Sequence, residues 1–306
     1  MKRSLNLPLL GALAIILAAL LWSVDAMMRR YLYELPSMVI VFSEHFLGFL
    51  VTLPWLISQW DRVKRLDQKT WLAIFWVAIF GGIAGTFFYT KALGYIQYIN
   101  FSVVVLLQKL QPIFAILLAR IILKEQLRGK FYLWATLAVI GGYFVTFPNG
   151  FPEIVDGGKN LIAGALAVGA AFAWGSSTVM GKYSLRDLDT RVVTPLRLGL
   201  TAAITGLYLL ATWQVAAFGD FSTRQIIMLV AIVFSSGTVA LSIYYFGLKQ
   251  VEASRSTILE MTWPVSAVFI DWVFFDHALT WSQIMGALIL LYAIYRVTRR
   301  VAALEE

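Results

Sequence analysis

Ten stretches of the chain are almost continuously apolar and long enough to cross a lipid bilayer. Each holds about 20 residues, the number that an α-helix needs to span the hydrocarbon core. Because an open sheet edge would leave its peptide groups unsatisfied in lipid, we expect all ten to be helices. The runs cover approximately 7–28, 37–58, 71–93, 97–122, 130–147, 161–181, 192–214, 225–247, 255–275 and 281–298.

The overall composition agrees with an integral membrane protein. Hydrophobic residues make up 60% of the 306 residues and the mean hydropathy is +0.77, whereas soluble proteins contain about 45–50% apolar residues. Lys2 and Arg3 precede the first apolar run, as in a secretory signal, but that run is too long for the core of a signal peptide. We interpret it as the first retained helix.

Polar residues interrupt two of these apolar runs in the same way. Leu106–Pro112 reads Leu-Leu-Gln-Lys-Leu-Gln-Pro, and Ile258–Pro264 reads Ile-Leu-Glu-Met-Thr-Trp-Pro. The two prolines are 264 − 112 = 152 residues apart. Further matches at this offset are Trp22 with Trp174, Tyr31 with Tyr183, Ser102 with Ser254, Leu107 with Leu259, Ala115 with Ala267 and Tyr143 with Tyr295. A shared offset over several helices indicates an internal repeat.

The repeat predicts the architecture. Each unit has five helices, an odd number, so the second unit enters the membrane from the opposite side. We predict an all-α integral membrane protein with ten transmembrane helices, built as two inverted five-helix repeats, 1–150 and 151–306. The boundary falls in the turn-rich segment that begins at Pro148–Pro152. In the eighth run the offset becomes 237 − 82 = 155, which an insertion near Gly219 explains.

Charge and composition fix the expected orientation and exclude several functions. The net charge is +8, and with a cytoplasmic N-terminus most of the 25 lysines and arginines flank the helices on the cytoplasmic side. We therefore expect a multi-pass inner-membrane protein with both termini cytoplasmic, and no nucleic-acid partner. The chain has no cysteine and only two histidines, so we expect no metal site and no cofactor. ATPase motifs and nucleophile triads are missing as well, which argues against an enzyme.

Three motifs carry a family resemblance that extends over nearly the whole chain. Pro112 opens Pro-Ile-Phe-Ala-Ile-Leu-Leu-Ala, Lys124-Glu125-Gln126-Leu127 closes the same helix, and Gly141-Gly142 lies in the next. With the doubled five-helix unit, the chain resembles the EamA-type ten-helix transporters of the drug/metabolite transporter superfamily. The second copy departs from the pattern with Asp276-His277-Ala278-Leu279, and His45 stands where that copy has Arg197. The resemblance implies transport of small metabolites, often outward and often of amino acids.

Lys109 and Glu260 are the sharpest candidates for a central site. A charge in the middle of a bilayer costs about 2.5–3.5 kcal/mol, so each is expected to face water, substrate or a partner. Gln108 and Gln111 lie on the adjoining face of the same helix as Lys109. We predict that Lys109 binds a carboxylate and Glu260 an ammonium. The alternative is a structural ion pair of Lys109 with Glu260 or Glu44.

The remaining candidates shape this site. Pro112 and Pro264 each remove a helical hydrogen bond and are predicted hinges. His45 would titrate near neutral pH and couple transport to protons, although a histidine bonded to a neighbour is the commoner case; Asp25 lies one turn before Arg29 and is expected to pair with it. Gly81 and Gly85 predict close helix packing. The other predicted substrate-binding residues are Trp22, Glu44, Tyr89, Trp174, Arg197, Tyr244 and Trp263.

The sequence therefore predicts a secondary transporter, an exporter of a small polar or zwitterionic metabolite such as an amino acid or amine, that works by alternating access. Its partners would be that substrate, membrane lipid and a proton as coupling ion. The alternative is a membrane-embedded lipid-handling protein or flippase, which would need a site open sideways to the bilayer.

Overall fold

The computed structural model describes residues 6–32, 34–93, 107–108, 110–127, 129–147, 158–275 and 279–302. Within these ranges the chain is helical and contains no β-strand. Six of the helices found there are long and apolar enough to cross a membrane. The chain is therefore an integral membrane protein. The predicted boundary at Pro148–Pro152 lies outside the described residues.

The helices follow the apolar runs. Before residue 148 they are α1 (Leu7–Arg29), α2 (Ser37–Ser58), α3 (Gln68–Trp76, π-helical Val77–Ala84 and Gly85–Leu93), α4 (Gln111–Leu118 continued by π-helical Ala119–Leu123) and α5 (Gly129–Thr146). After residue 157 they are α6 (Gly158–Ser184), α7 (Thr190–Ala211), α8 (Thr223–Ile232, π-helical Val233–Gly237 and Thr238–Gln250), α9 (Ala253–Leu259 and Thr262–Phe275) and α10 (Trp281–Ala302). Short helical turns lie at Arg30–Leu32, Trp60–Val63 and Gln214–Asp220.

Polar side chains fix where several helices begin. The Asp67 carboxylate accepts a hydrogen bond from the backbone N–H of Thr70 at the start of α3, and Asp189 does the same for α7. Ser222 and Gln225 bond reciprocally across the start of α8. Each cap satisfies N–H groups that the first turn of a helix leaves without partners, so the apolar runs start at defined residues.

The helices pack in pairs that join the two halves of the sequence. α1 packs on α8, α2 on α7, α3 on α6 and α5 on α10, while α4 packs on both α6 and α9. In the α5–α10 pair the backbones touch, since a Cβ on Gly141 would lie 2.8 Å from the carbonyl oxygen of Gly286. Only residues without side chains permit such an approach. Every pair combines one helix from before residue 148 with one from after residue 157.

Glu125 ties the two halves together at one end of the bundle. Lys124 adopts a left-handed conformation (φ 56°) that ends α4 and turns the chain toward the start of α9. The Glu125 carboxylate there accepts hydrogen bonds from the backbone N–H groups of Ala253 at 2.7 Å and Ser254 at 3.1 Å, and from the Ser254 hydroxyl. A residue of the Lys-Glu-Gln-Leu motif thus caps a helix of the other half.

Further polar contacts lie at this end. The Arg186 guanidinium donates to the carbonyl oxygen of Leu123 at 2.7 Å. Arg255 pairs with Glu252 at 2.6 Å. Burial raises the pKa of the Glu252 carboxyl, and the charge of Arg255 opposes that shift. The end is therefore closed by bonds between side chains and helix termini.

Candidate functional site

α9 is interrupted beside its polar residue. Its first segment ends at Leu259, and its second begins at Thr262 with Pro264 in the first turn. The Glu260 carbonyl, which Pro264 cannot bond, accepts the N–H of Trp263 at 3.0 Å. This carbonyl therefore keeps a hydrogen-bond partner in spite of the proline. Pro112 likewise lies in the first turn of α4, and the role of both prolines as hinges stays a prediction.

The break places the Glu260 carboxylate among hydrogen-bond donors from three helices. Gln111 Nε2 donates to Oε2 at 3.0 Å, and the Tyr244 hydroxyl donates to Oε1 at 2.6 Å. Ser256, one turn earlier on α9, donates to Oε1 at 3.3 Å. The Tyr244 hydroxyl also lies 3.1 Å from Thr178 Oγ1, which brings α6 into the same network. The carboxylate is thus held by neutral groups.

The other polar candidates on the interrupted helices are placed in part. Gln108 Oε1 is buried and has no hydrogen-bond partner among the described residues. Trp263 is half-buried in the second segment of α9. Lys109 lies outside the described residues, so its contacts with Glu260, Glu44 or a substrate remain a prediction.

Two aromatic pairs correspond to each other in the repeat, and one of them contains Tyr244 of this network. The rings of Trp22 and Tyr244 are 5.1 Å apart at an angle of 53°, and those of Trp174 and Tyr89 are 5.6 Å apart at 57°. The offsets are 174 − 22 = 152 and 244 − 89 = 155, the two values found in the sequence. Gly85 lies directly beneath the Trp174 indole. The sequence predicted these four residues but not their pairing across the two halves.

Arg197 contacts Tyr245, whose ring centre is 5.8 Å from that of Tyr244. Its Nη1 donates to the Tyr245 hydroxyl at 2.9 Å, and the guanidinium carbon is 5.6 Å from the Tyr245 ring centre. Its Nε is buried without a hydrogen-bond partner. Among the described residues, no carboxylate pairs with this guanidinium.

Glu44 and His45 have partners of their own, away from Glu260. Arg29 lies between two carboxylates, 2.5 Å from Asp25 and 3.0 Å from Glu44. Ser236, in the π-helical segment of α8, donates to Asp25 at 2.6 Å. His45 Nδ1 is 2.8 Å from the carbonyl oxygen of Val41, one turn back on its own helix. The predicted Asp25–Arg29 pair is present, and Glu44 extends it.

Sequence reasoning missed the hydroxyl groups that complete the site. Thr178 and Ser256 both reach the Tyr244 hydroxyl, at 3.1 Å and 3.4 Å. The available signal was the run Ser176-Ser177-Thr178 inside an apolar helix. Three consecutive hydroxyl residues face different directions on a helix, so at least one of them is expected to point into the bundle.

The groups assembled here suit binding of a small molecule. They comprise one carboxylate, one guanidinium, several hydroxyl and amide groups, and aromatic faces. In the part of the chain that the structure describes, no group of three or more His, Asp or Glu residues could hold a metal ion. A separate cavity of about 360 Å³ lies between α2 and α8, and its lining is almost wholly apolar, including Phe42, Phe46, Phe218 and Phe221.

Comparisons with known proteins identify the family to which the chain belongs. The profile of the EamA-like transporter family matches residues 9–147 and again 161–299. The chain is 35% identical over 294 residues to the protein named riboflavin transporter ImpX of Fusobacterium nucleatum, covering 94% of this chain and 97% of that protein. It is 22% identical over 291 residues to the uncharacterized transporter YoaV of Bacillus subtilis, covering 94% and 96%. A crystal structure of a protein with 19% sequence identity shares the fold, with a TM-score of 0.75 over 97% of this chain and 99% of that one. This chain belongs to the EamA-like transporter family and is a transporter rather than an enzyme.

Proposed function

We propose that this protein is a secondary transporter of a flat heteroaromatic compound with polar substituents, of the riboflavin class. The observation that carries the proposal is the pair of repeat-related aromatic contacts, Trp22–Tyr244 and Trp174–Tyr89, the first of which contains the tyrosine that donates to the Glu260 carboxylate. Stacking on such rings recognises planar molecules. The 35% identity to a protein named a riboflavin transporter supports this substrate class.

Glu260 and its neighbours would read the polar groups of the substrate. A carboxylate accepts hydrogen bonds from a ring N–H or from the hydroxyls of a sugar-alcohol chain. Gln111 can donate or accept after it turns away from Glu260, and the unpartnered Gln108 Oε1 provides another acceptor. Substrate would replace protein hydrogen bonds with its own, so that its binding leaves no buried polar group unsatisfied.

The ten-helix architecture with two inverted five-helix repeats is part of this proposal. The two profile matches start 161 − 9 = 152 residues apart, the offset that the sequence repeats. Each helix pair joins one helix of 1–150 to one of 151–306. Repeats of opposite topology provide two related arrangements of one bundle, and exchange between them exposes a central site to each side in turn.

The proposal also covers the membrane orientation, the coupling ion and the direction of transport. Lysines and arginines flank the helices mainly on the side of the N-terminus, which supports an inner-membrane protein with both termini in the cytoplasm. Glu260 would carry the coupling proton, since it is the carboxylate of the site. Net transport would be outward, as in many relatives of the superfamily that the sequence resembles.

A second candidate substrate is an amino acid or an amine. The observation in its favour is that Glu260 has no cationic partner among the described residues. A substrate ammonium would fill that place, and the aromatic rings beside it would add cation–π attraction.

Proteoliposomes that contain the purified protein test the proposal through the flux of riboflavin, read from its fluorescence. We expect flux with the wild-type chain and a loss of about 10- to 100-fold with Glu260→Gln, because a hydrogen bond to a charged group contributes about 1.5–3 kcal/mol. Glu34→Gln, the same change at an exposed position, is the matched control and should leave flux unchanged.

The outcomes separate the candidates. Flux of an amine such as tryptamine without flux of riboflavin would replace the first candidate with the second. Scrambling of fluorescent phospholipids without flux of either compound would favour lipid handling. Equal riboflavin flux in wild type and Glu260→Gln would remove Glu260 from the site.

A further inference from the structure

Arg197 carries a positive charge inside the bundle, and no carboxylate of the described residues pairs with it. It lies on α7 next to α3, α6 and α8, and among the described residues it donates a hydrogen bond to the neutral Tyr245 hydroxyl. Other interior cations of the described chain are better matched, since Arg29 lies between two carboxylates and Arg255 pairs with Glu252. Charged groups within a membrane are costly, and an uncompensated one indicates a functional site.

The free edge of the guanidinium has the geometry of an anion receptor. Nη1 is used by Tyr245, whereas no hydrogen bond joins Nε or Nη2 to another described residue. These two nitrogens form the side-on fork of arginine, which binds both oxygens of a carboxylate or phosphate at once. Gly81 leaves room for this edge, since a Cβ there would lie 3.2 Å from Nη2 and collide with the Ser177 hydroxyl.

Arg197 is also connected to the predicted substrate site. It bonds Tyr245, while the adjacent Tyr244 bonds Glu260, and the two tyrosine rings are 5.8 Å apart. An acidic and a basic side chain therefore contact two adjacent tyrosines of α8, Glu260 at Tyr244 and Arg197 at Tyr245. A molecule lying along these rings would meet both.

We propose that Arg197 binds an oxyanion group, a carboxylate or a phosphate ester, carried by the transported compound. The inference rests on the proposed function in taking Tyr244 and Glu260 as the neighbouring part of the substrate site. It assigns the anionic end of the substrate to the α7 side and the hydrogen-bond-donating end to the α9 side. The sequence had given the carboxylate to Lys109.

Two matched pairs of probes test this subsite by calorimetry on the purified, detergent-solubilised protein. Riboflavin and flavin mononucleotide differ in one phosphate, and tryptamine and tryptophan differ in one carboxylate. For at least one pair we expect the anionic member to bind the wild-type protein about 10- to 100-fold more tightly. Arg197→Gln should remove that difference and leave the affinity of the neutral flavin or of tryptamine unchanged.

Two further variants keep the result interpretable. Arg197→Lys keeps the positive charge but lacks the paired nitrogens of the guanidinium, and should retain only part of the preference for the anionic probe. Arg296→Gln removes a cation that stacks on Trp134 between α5 and α10, and should leave the affinities of all four probes unchanged. Thermal unfolding of each variant shows that it is folded.

The inference fails if the wild-type protein binds both members of each pair equally, or if Arg197→Gln weakens both members by the same factor. If no probe binds, the proposed substrate classes fail and the subsite is decided with inorganic phosphate and acetate. Stabilisation of the wild-type protein by either anion, absent in Arg197→Gln, would support the subsite. No stabilisation would overturn it.

Discussion

Two regions that correspond in the repeat carry different charges. In one, Asp25 accepts a hydrogen bond from Ser236, and Arg29 joins Asp25 to Glu44. In the other region, Ser177 corresponds to Asp25 and Gly81 to Ser236, at offsets of 177 − 25 = 152 and 236 − 81 = 155. Gly181 corresponds to Arg29 and Leu196 to Glu44, at offsets of 181 − 29 = 152 and 196 − 44 = 152. Ser177 again meets its partner position, Gly81. The backbone contact repeats and the ion network does not.

The two regions share a backbone arrangement and differ in how their charges are paired. In the first region every charge has an opposite charge within 3.2 Å, and three helices, α1, α2 and α8, are bonded together. In the second, Arg197 supplies a guanidinium where the first has His45, and no carboxylate in the part of the chain that the structure describes pairs with it. A satisfied network fixes helices in place, whereas an unsatisfied charge is available to a ligand.

Arg29→Gln is the strongest test of this contrast. The substitution leaves Asp25 and Glu44 facing each other without a cation, and removing one member of a buried ion pair costs about 3–5 kcal/mol. We expect the lower end of that range, because 29% of the Arg29 side chain is exposed. Thermal unfolding of the purified protein measures the loss. Arg120→Gln, at an exposed arginine that donates to the Tyr132 hydroxyl, is the matched control.

The triple variant Asp25→Asn, Arg29→Gln, Glu44→Gln should regain part of this stability, since no charge is then left without a partner. By contrast, Arg197→Gln should cost little stability, because it strands no carboxylate. Equal destabilisation by Arg29→Gln and Arg197→Gln would abolish the distinction between the two regions.

Gly81→Ala changes the second region without changing its charge. The added methyl group would collide with Ser177 and push on Arg197 Nη2, and overpacking of this kind costs about 1–3 kcal/mol. We expect lower thermal stability together with weaker binding of the anionic probes. Gly164→Ala is the control, because its Cβ would meet only Leu107 at 3.4 Å, an ordinary contact. Weaker stability with unchanged anion preference would show that Gly81 serves packing alone.

The sequence predicts the elements that depend on local pattern. Apolar runs gave most helices to within a few residues, and the 152-residue offset identified Trp22 and Trp174 as equivalent. The i, i+4 spacing gave the Asp25–Arg29 pair. These features need only periodicity, length and comparison of the chain with itself.

Contacts between distant residues could not be predicted in this way. Glu125 was recognised as part of a closing motif, but its bonds to Ala253 and Ser254 cross 128 and 129 residues. Glu44 meets Arg29 because α1 and α2 lie side by side with a particular rotation. The interruption of α9, at Glu260 and Met261, lies about one turn before Pro264 rather than at it, since the preceding turn must adapt to the missing N–H.

Glu125→Gln tests whether the end of the bundle behaves like the satisfied region or the open one. Within the described residues, the hydrogen-bond donors to Glu125 all lie at the start of α9, so we expect it to act as a helix cap, whose loss costs about 0.5–2 kcal/mol. Because the chain has no cysteine, Ala253→Cys introduces a single thiol at a fully buried position. Glu125→Gln should lower the unfolding temperature slightly and speed labelling of that thiol, because the first turn of α9 opens more often.

The control is Gln126→Ala at the exposed neighbouring residue, which should alter neither the unfolding temperature nor the labelling rate. Unchanged labelling in Glu125→Gln would show that packing, and not this carboxylate, holds α9 against the other half.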